Sequence, residues 1–369
     1  MTHRTSGKGK GALFFCLALM LILAVASTAS AATKNVLILN SYHNGYKWTD
    51  DITRGAMATF DEKTAKVYID FLDTKRNPGD AYIKDLDEFY KSKFKNIAFD
   101  VIITSDDDAL AFMRRNRDRL FPKVPIVFCG VNWFTEEKLG GLKQITGVNE
   151  DADAQATIDL MLQLHPATKK IYVVVDTTTT GKVIVDKLNQ ITPKYKGKVD
   201  FIYLQDLEMD KITDTVSKLG GDSLVLMTVF QKDRAGTFFE FSESTALVSA
   251  KSSVPMYGLW DFNLGYGIVG GMLTSGEEQG KAAGSMANRI LRGESADAIK
   301  VLMESPNKYM FDYKQLSRFG IDRAKLPPKS KVINEPGANY SMSKATVWTI
   351  GIVMILLTLG CAYLLYKRL

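Results

Sequence analysis

An acidic triplet, a threonine run and a set of aromatic rings beside polar side chains are where this sequence could do chemistry. Asp106-Asp107-Asp108 follow Ser105 at the end of the apolar run FDVIITS. Adjacent carboxylates can hold a cation, but acids that open a helix after a strand also cap its amides and complement its dipole. The capping role is the expectation, and with it no metal site. Thr177–Thr180 precede Gly181 at another strand-to-helix turn. Their hydroxyls can cap the helix, or with backbone amides hold an anionic group, and one loop can do both. His165 precedes Pro166 at the end of a helical pattern, where a cap or surface role is expected, while His43 follows the first strand. Cys129 lies inside the apolar run PIVFCG and reads as a small core residue. Such scattered ligands do not make a zinc site. GxxxxGK[ST], HExxH and GxSxG are all missing from the sequence. The expectation is no enzyme and no cofactor.

The elements that must position these residues alternate. Apolar runs of strand length stand at 36–40, 66–71, 99–105, 125–130, 170–176, 199–204, 223–229, 254–258 and 266–271. Most are near-continuous hydrophobics, as strands buried on both faces of a parallel sheet are. Helical patterns at 50–62, 80–94, 107–119, 152–164, 181–192, 208–219, 235–251 and 276–292 fall between them. That alternation predicts an α/β fold with right-handed crossovers. Gly141–Asp153 and Gly258–Tyr266 read as connections between two doubly wound parallel-sheet lobes.

In open α/β sheets, ligands bind beyond the carboxyl ends of the strands. Those ends carry Ser41, Tyr42 and His43, then Thr104 and Ser105, then Asn132 and Trp133. Further along they carry Asp176, Thr177 and Thr178, then Phe230, then Trp260 and Asp261. These are the candidate ligand-binding residues, with Tyr46 and Trp48 close behind the first group. Either the aromatics seal the loop layer, or they wall an interlobe cleft with a few polar anchors. The cleft reading predicts a small carboxylate or amino acid with an apolar or aromatic part. Amides near Thr177–Gly181 would take the anion, Asp176 or Asp261 an ammonium, and Trp260 or Tyr42 the flat portion.

The 369-residue chain has a formal charge of +6. Arg4, Lys8, Lys10, Lys367 and Arg368 stand at its ends, leaving 42 basic residues against 41 acidic ones between them. A nearly neutral body argues against nucleic acid as a partner. Residues 1–32 read as a signal peptide: a basic start, an apolar stretch Ala12–Ala26 that includes Cys16, and an A-x-A site at Ala29-Ser30-Ala31. An uncleaved anchor is the alternative. From Ala345 to Tyr366 no residue is charged, and such a stretch is roughly 33 Å long as a helix. Trp348, Tyr363 and Tyr366 sit near its ends and Lys367-Arg368 follow, which predicts a transmembrane helix over 345–366 with 367–369 cytoplasmic.

PIVFCGVNWFTEEKLGG, ITGVNEDADAQATIDLMLQLHPATKKIYVVVD and GIVGGMLTSGEEQGKAAGSMANRILRGE together resemble the ABC-transporter substrate-binding-protein-like family. The opening VLILNSYHNGYKWTDDITRG looks like the variant that forms the extracytoplasmic sensor region of bacterial membrane receptors. The resemblance covers about residues 34–330. It implies a type I periplasmic-binding-protein fold whose lobes close on a small ligand, and it carries over the strand-end positions named above. The expected lobes are 33–148, completed by about 266–292, and 149–265, with 293–344 a return segment and membrane-proximal stalk. The resemblance implies a protein of the bacterial inner membrane with its body in the periplasm. A histidine kinase or diguanylate cyclase would be its partner, or an ABC permease if it is the tethered capture subunit of an importer.

Overall fold

The computed structural model describes residues 33–336 and 344–368. The leader expected over 1–32 lies outside the described residues. The chain divides into two units. The first runs to Glu150 and resumes over Gly276–Ser305; the second takes Asp151–Ser275 and resumes at Pro306.

The first unit is a five-stranded parallel sheet in the order β2-β1-β3-β4-β5. Its strands are β1 (Lys34–Asn40), β2 (Ala65–Phe71), β3 (Val101–Ser105), β4 (Ile126–Asn132) and β5 (Ile145–Glu150). Central β3 (VIITS) is buried at every position, whereas the edge strand β2 is partly exposed and leaves Ile69 largely in solvent. That contrast follows from covering a central strand on both faces and an edge strand less completely. The helices α1 (Lys47–Met57), α2 (Asp80–Phe94) and α3 (Asp106–Leu120) are the crossovers. Tyr90, Phe94 and Phe112 from α2 and α3 pack with Leu37, Leu39, Ile102 and Phe128 in one apolar cluster. The returning α8 (Gly276–Leu291) lies against α1 and near β3, β4 and β5. Gly276, Gly280 and Gly284 repeat at helical spacing on its α1 side, where a Cβ on Gly280 would press into the carbonyl of Ile52. Small residues at that spacing let the two backbones approach closely.

The second unit carries a four-stranded parallel sheet in the order β7-β6-β8-β9. Its strands are β6 (Lys170–Val174), β7 (Asp200–Leu204), β8 (Ser223–Met227) and β9 (Met256–Gly258). Helix α4 (Ala154–Leu164) leads into β6, and the crossover helices are α5 (Thr179–Ile191), α6 (Met209–Ser217) and α7 (Phe241–Lys251). A separate small sheet pairs β10 (Gly270–Leu273) antiparallel to β11 (Lys308–Asp312), and β11 parallel to β12 (Lys331–Ile333). The short α9 (Tyr313–Arg318) follows β11.

Two expectations are corrected here. The segment read as a connection, Gly141–Asp153, holds the division between the units, after Glu150, but it is not a plain linker: it contains β5, whose six residues are all buried. Its polar side chains are satisfied by the returning chain: Thr146 Oγ1 donates to the Ile299 carbonyl and Asn149 Nδ2 to that of Met303. Gly147 is required there, because a Cβ would run into Phe128 at the irregularity of β4. The runs read as nine parallel strands also miss β11 and β12, and β10 is antiparallel to β11.

The last helix, α10, spans Lys344–Arg368. Its described side chains, at 347–349, 351–360 and 367, are exposed. Among the described residues, no helix is long and apolar enough to cross a membrane.

Candidate functional site

In the first unit the carboxyl ends of β1, β2 and β3 bring together Tyr42, Tyr46, Trp48, Lys75 and Asp106. Tyr42 and Tyr46 stand edge to face with centroids 5.5 Å apart. The Lys75 ammonium lies 4.5 Å from each ring centroid and donates to the Tyr46 hydroxyl at 2.7 Å. A cation over two phenol faces is held by their quadrupoles. Asp106 is only 2% exposed and has a left-handed backbone, φ 71°. It accepts hydrogen bonds from the Trp48 indole N–H at 2.7 Å and from the Ser105 hydroxyl at 2.7 Å. Burial raises its pKa to about 7, against the lowering effect of those two bonds and of the Lys75 charge. Burial first, then the charge of Asp106, pushes the Tyr42 phenol well above its ordinary value.

Other candidates in this unit have structural work. Ser41 is fully buried; its hydroxyl donates to the Ser105 carbonyl at 2.6 Å and accepts from the Ala109 amide at 2.8 Å, tying β1 to β3 and α3. Thr104 is fully buried, and its hydroxyl has no hydrogen-bond partner among the described residues. His43 is half-buried, with Nδ1 3.6 Å from an Asp73 oxygen. Asn132 contacts Asp107 through its amide, and Trp133 has a left-handed backbone with its N–H on the Glu150 carbonyl. The acidic triplet opens α3 directly after β3, as expected, but does more than complement its dipole. Its carboxylates take side-chain partners on separate elements: Trp48 for Asp106, Lys138 for Asp107 and Thr74 for Asp108. The side chain of the N-cap residue Ser105 does not cap α3, and the first-turn amide of Ala109 is met by Ser41 instead.

In the second unit, Thr178 caps α5 by accepting from the Gly181 amide at 3.2 Å, and Thr177 is exposed. Asp176 is 1% exposed. Its Oδ1 accepts from the Thr178 amide at 3.0 Å and the Thr178 hydroxyl at 2.5 Å, and its Oδ2 from the Gln231 amide at 2.8 Å. The carboxylate expected to meet a ligand ammonium therefore clasps two strand-end loops together. Phe230 is 1% exposed and packs into the apolar cluster with Phe239. Trp260, Phe262 and Phe241 form a run of nearly parallel rings, with centroids 5.9 Å and 4.1 Å apart and interplanar angles of 11° and 13°. Asp261 follows Trp260, and its N–H is bonded to the Thr274 carbonyl. His165, as expected, ends a helix, and its Nε2 lies 2.8 Å from the Tyr257 hydroxyl.

Residues 88–325 match the family described as ABC transporter substrate binding protein. The chain belongs to that family. Among solved structures, a ligand-free, open substrate-binding protein with adhesive properties from Clostridium difficile superposes with a TM-score of 0.61. It shares 16% identity, over 82% of this chain and 100% of that one. The ABC domain in complex with L-Trp from Streptococcus pneumoniae has a TM-score of 0.55 and 17% identity, over 82% of this chain and 100% of that one. A 5-methylthioribose transporter solute-binding protein from Thermotoga lettingae has a TM-score of 0.51 and 12% identity, over 81% and 92%. The search of curated proteins found no match. As an ABC transporter substrate binding protein, the chain has the expected α/β fold with parallel-sheet lobes of the type I periplasmic-binding-protein kind.

Sequence reasoning missed Lys75 and set Asp106 aside as a cap. Lys75 had a signal: it stands in DTKRNPGD, just past the carboxyl end of β2.

Proposed function

We propose that this protein is an extracytoplasmic binder of a small solute rather than an enzyme. The solute is an amino acid or small carboxylate with an apolar or aromatic part. The observation that carries this is the collection of aromatic rings past parallel strand ends in both units, Tyr42, Tyr46 and Trp48 in the first and Trp260 and Phe262 in the second. Membership of a substrate-binding family and the L-Trp complex of the pneumococcal relative support it. In this reading Asp261 is the acidic contact for a ligand ammonium. Lys75 suits an anion.

In this proposal the two lobes close on the ligand after export by the leader, and the uncharged sequence 345–366, part of which lies outside the residues whose side chains are described, holds the body at the inner membrane. The support for anchoring is the sequence of 345–366. A sensor role follows, with a histidine kinase or diguanylate cyclase as partner; delivery to an ABC permease is the alternative that family membership favours. Calorimetry with the purified chain against the L-amino acids and their decarboxylated and amidated analogues tests the ligand class. Saturable binding of an aromatic member is expected; binding only of sugars would overturn it. A kinase or cyclase encoded beside the chain supports sensing, and a permease with an ATPase supports transport.

A further inference from the structure

We propose that Asp106 is a proton-operated contact by which ambient pH sets the charge of the first unit's strand-end rim and the strength of its hold on Trp48. This deepens the reading of that rim as a ligand contact, on which its regulatory meaning rests.

The geometry is that of an ionisable group held where it cannot be solvated. The carboxyl is buried between the β3 end, the start of α1 and Gly130 of β4, where a Cβ would lie 3.0 Å from Oδ1. The Trp48 indole and the Ser105 hydroxyl, which donate to it, are neutral. Burying a carboxylate among neutral donors disfavours its charged form, consistent with a pKa raised to about 7. The groups facing it are few. Lys75 from the loop after β2 favours the charge and Asp107 on α3 opposes it. The Tyr42 phenol from the loop after β1 and the buried Cys129 thiol of β4 both feel its charge and stay neutral, each raised well above its ordinary value. Asp108 acts on Tyr42 and is itself bonded by Thr74. On α1, Asp51 is paired with Lys47 and Arg54; on α8, Glu277 is paired with Lys281.

When solvent supplies a proton to Oδ2, that oxygen becomes a donor to the Ser105 hydroxyl oxygen, and the hydroxyl turns to another acceptor. Oδ1 still accepts from Trp48, but the bond is no longer charge-assisted and weakens. One negative charge leaves the rim beside Tyr42 and Lys75. A ligand cation there favours the ionised state and a ligand anion the protonated one, and by linkage each shifts the titration in turn.

The test needs no ligand. The full chain is labelled with 5-fluorotryptophan and followed by fluorine NMR from pH 5 to 9, with the Trp48 resonance assigned by its loss in Trp48→Phe. That resonance should shift with a midpoint near 7, lose its pH dependence in Asp106→Asn, and keep it in Asp107→Asn. Asparagine retains the shape and tolerates the left-handed backbone. Infrared absorption of a protonated carboxyl, growing below about pH 7 in the wild type, gives a readout that needs no variant. A flat Trp48 resonance, or a titration that survives Asp106→Asn, overturns the proposal. Failure to bind any small solute would instead overturn the proposed function and leave the titration standing.

Discussion

The Asp176 carboxylate accepts the Gln231 backbone N–H at 2.8 Å while its other oxygen holds both the amide and the hydroxyl of Thr178. A side chain at the end of β6 thus fixes the loop after β8 and the N-cap of α5. Asp176→Ala leaves buried donors without an acceptor, and bonds to a charged acceptor are worth about 1.5–3 kcal/mol each. The expected loss of stability is about 3 kcal/mol or more, read as a lower urea midpoint at unchanged slope. An unchanged midpoint with lost ligand affinity would return Asp176 to the role of ligand contact.

A second prediction concerns the contact of α1 with α8. A Cβ at position 280 would press into the Ile52 carbonyl, and backbone cannot move aside as a flexible side chain can. Gly280→Ala should destabilise by about 1–3 kcal/mol, as overpacking does. Gly221→Ala, where a Cβ meets nothing within 4 Å, is the control and should change the melting temperature little. Equal melting temperatures for both variants would show that the helices separate at little cost.

The contrast between β3 and β5 explains what the sequence could reveal. β3 (VIITS) is legible because its burial is written in its own side chains. β5 (ITGVNE) is equally buried, but Thr146 and Asn149 find their partners in residues 299–303, far along the chain. Local hydrophobicity has no access to that pairing. The site divides the same way. Strand ends marked Tyr42 and Trp260 as exceptional. They did not show that Asp176 and Ser41 are consumed by loop geometry, or that Phe230 turns into the core. Asp106 was hidden because an acid at a helix start has an ordinary explanation, and only the Trp48 indole reveals another.

The third prediction follows from Asp106 and its sign is fixed. Its pKa in the folded chain is about 7, against 3.8 for the ordinary side chain. A raised pKa means the folded state holds the proton more tightly, so the contribution is fully present below pH 4 and is lost as pH rises through 7. The difference of about 3 pH units corresponds to at most about 4 kcal/mol. Asp106→Asn should match the wild type below about pH 4, gain on it progressively between about pH 4 and about pH 7, and be more stable by the full difference at about pH 8.5. A stability difference that is constant between those pH values would remove Asp106 as the titrating group.

Topology gives a fourth prediction. In the proposed topology, read from the sequence of 1–32 and of Lys367-Arg368, the body lies outside and the tail inside. A reporter fused after Leu369 should behave as cytoplasmic and one fused after Lys331 as exported. Resistance of the full chain to alkaline extraction checks anchoring separately. Release into the alkaline supernatant would remove α10 as an anchor.

The last prediction tests the ligand contacts on both units. Tyr42 is half-buried beside Tyr46 and under the Lys75 ammonium, and Trp260 heads the ring run with Phe262 and Phe241. An aromatic anchor in a desolvated contact costs on the order of 2–4 kcal/mol when truncated, a loss of roughly 30- to 1,000-fold in affinity. Trp260 is 3% exposed and so also supports its own unit. Trp260→Ala should therefore lower both the melting temperature and the affinity for whichever aromatic solute the calorimetry finds. Tyr42→Phe separates the ring from its hydroxyl: the ring and the seat of Lys75 remain, so affinity should fall far less than in Tyr42→Ala. Lys75→Met should weaken carboxylate-bearing ligands and leave their amides nearly unaffected, because only the carboxylate draws on the ammonium charge. If Tyr42→Ala and Trp260→Ala both bind with wild-type affinity, the rings seal the loop layer and the ligand must be held elsewhere.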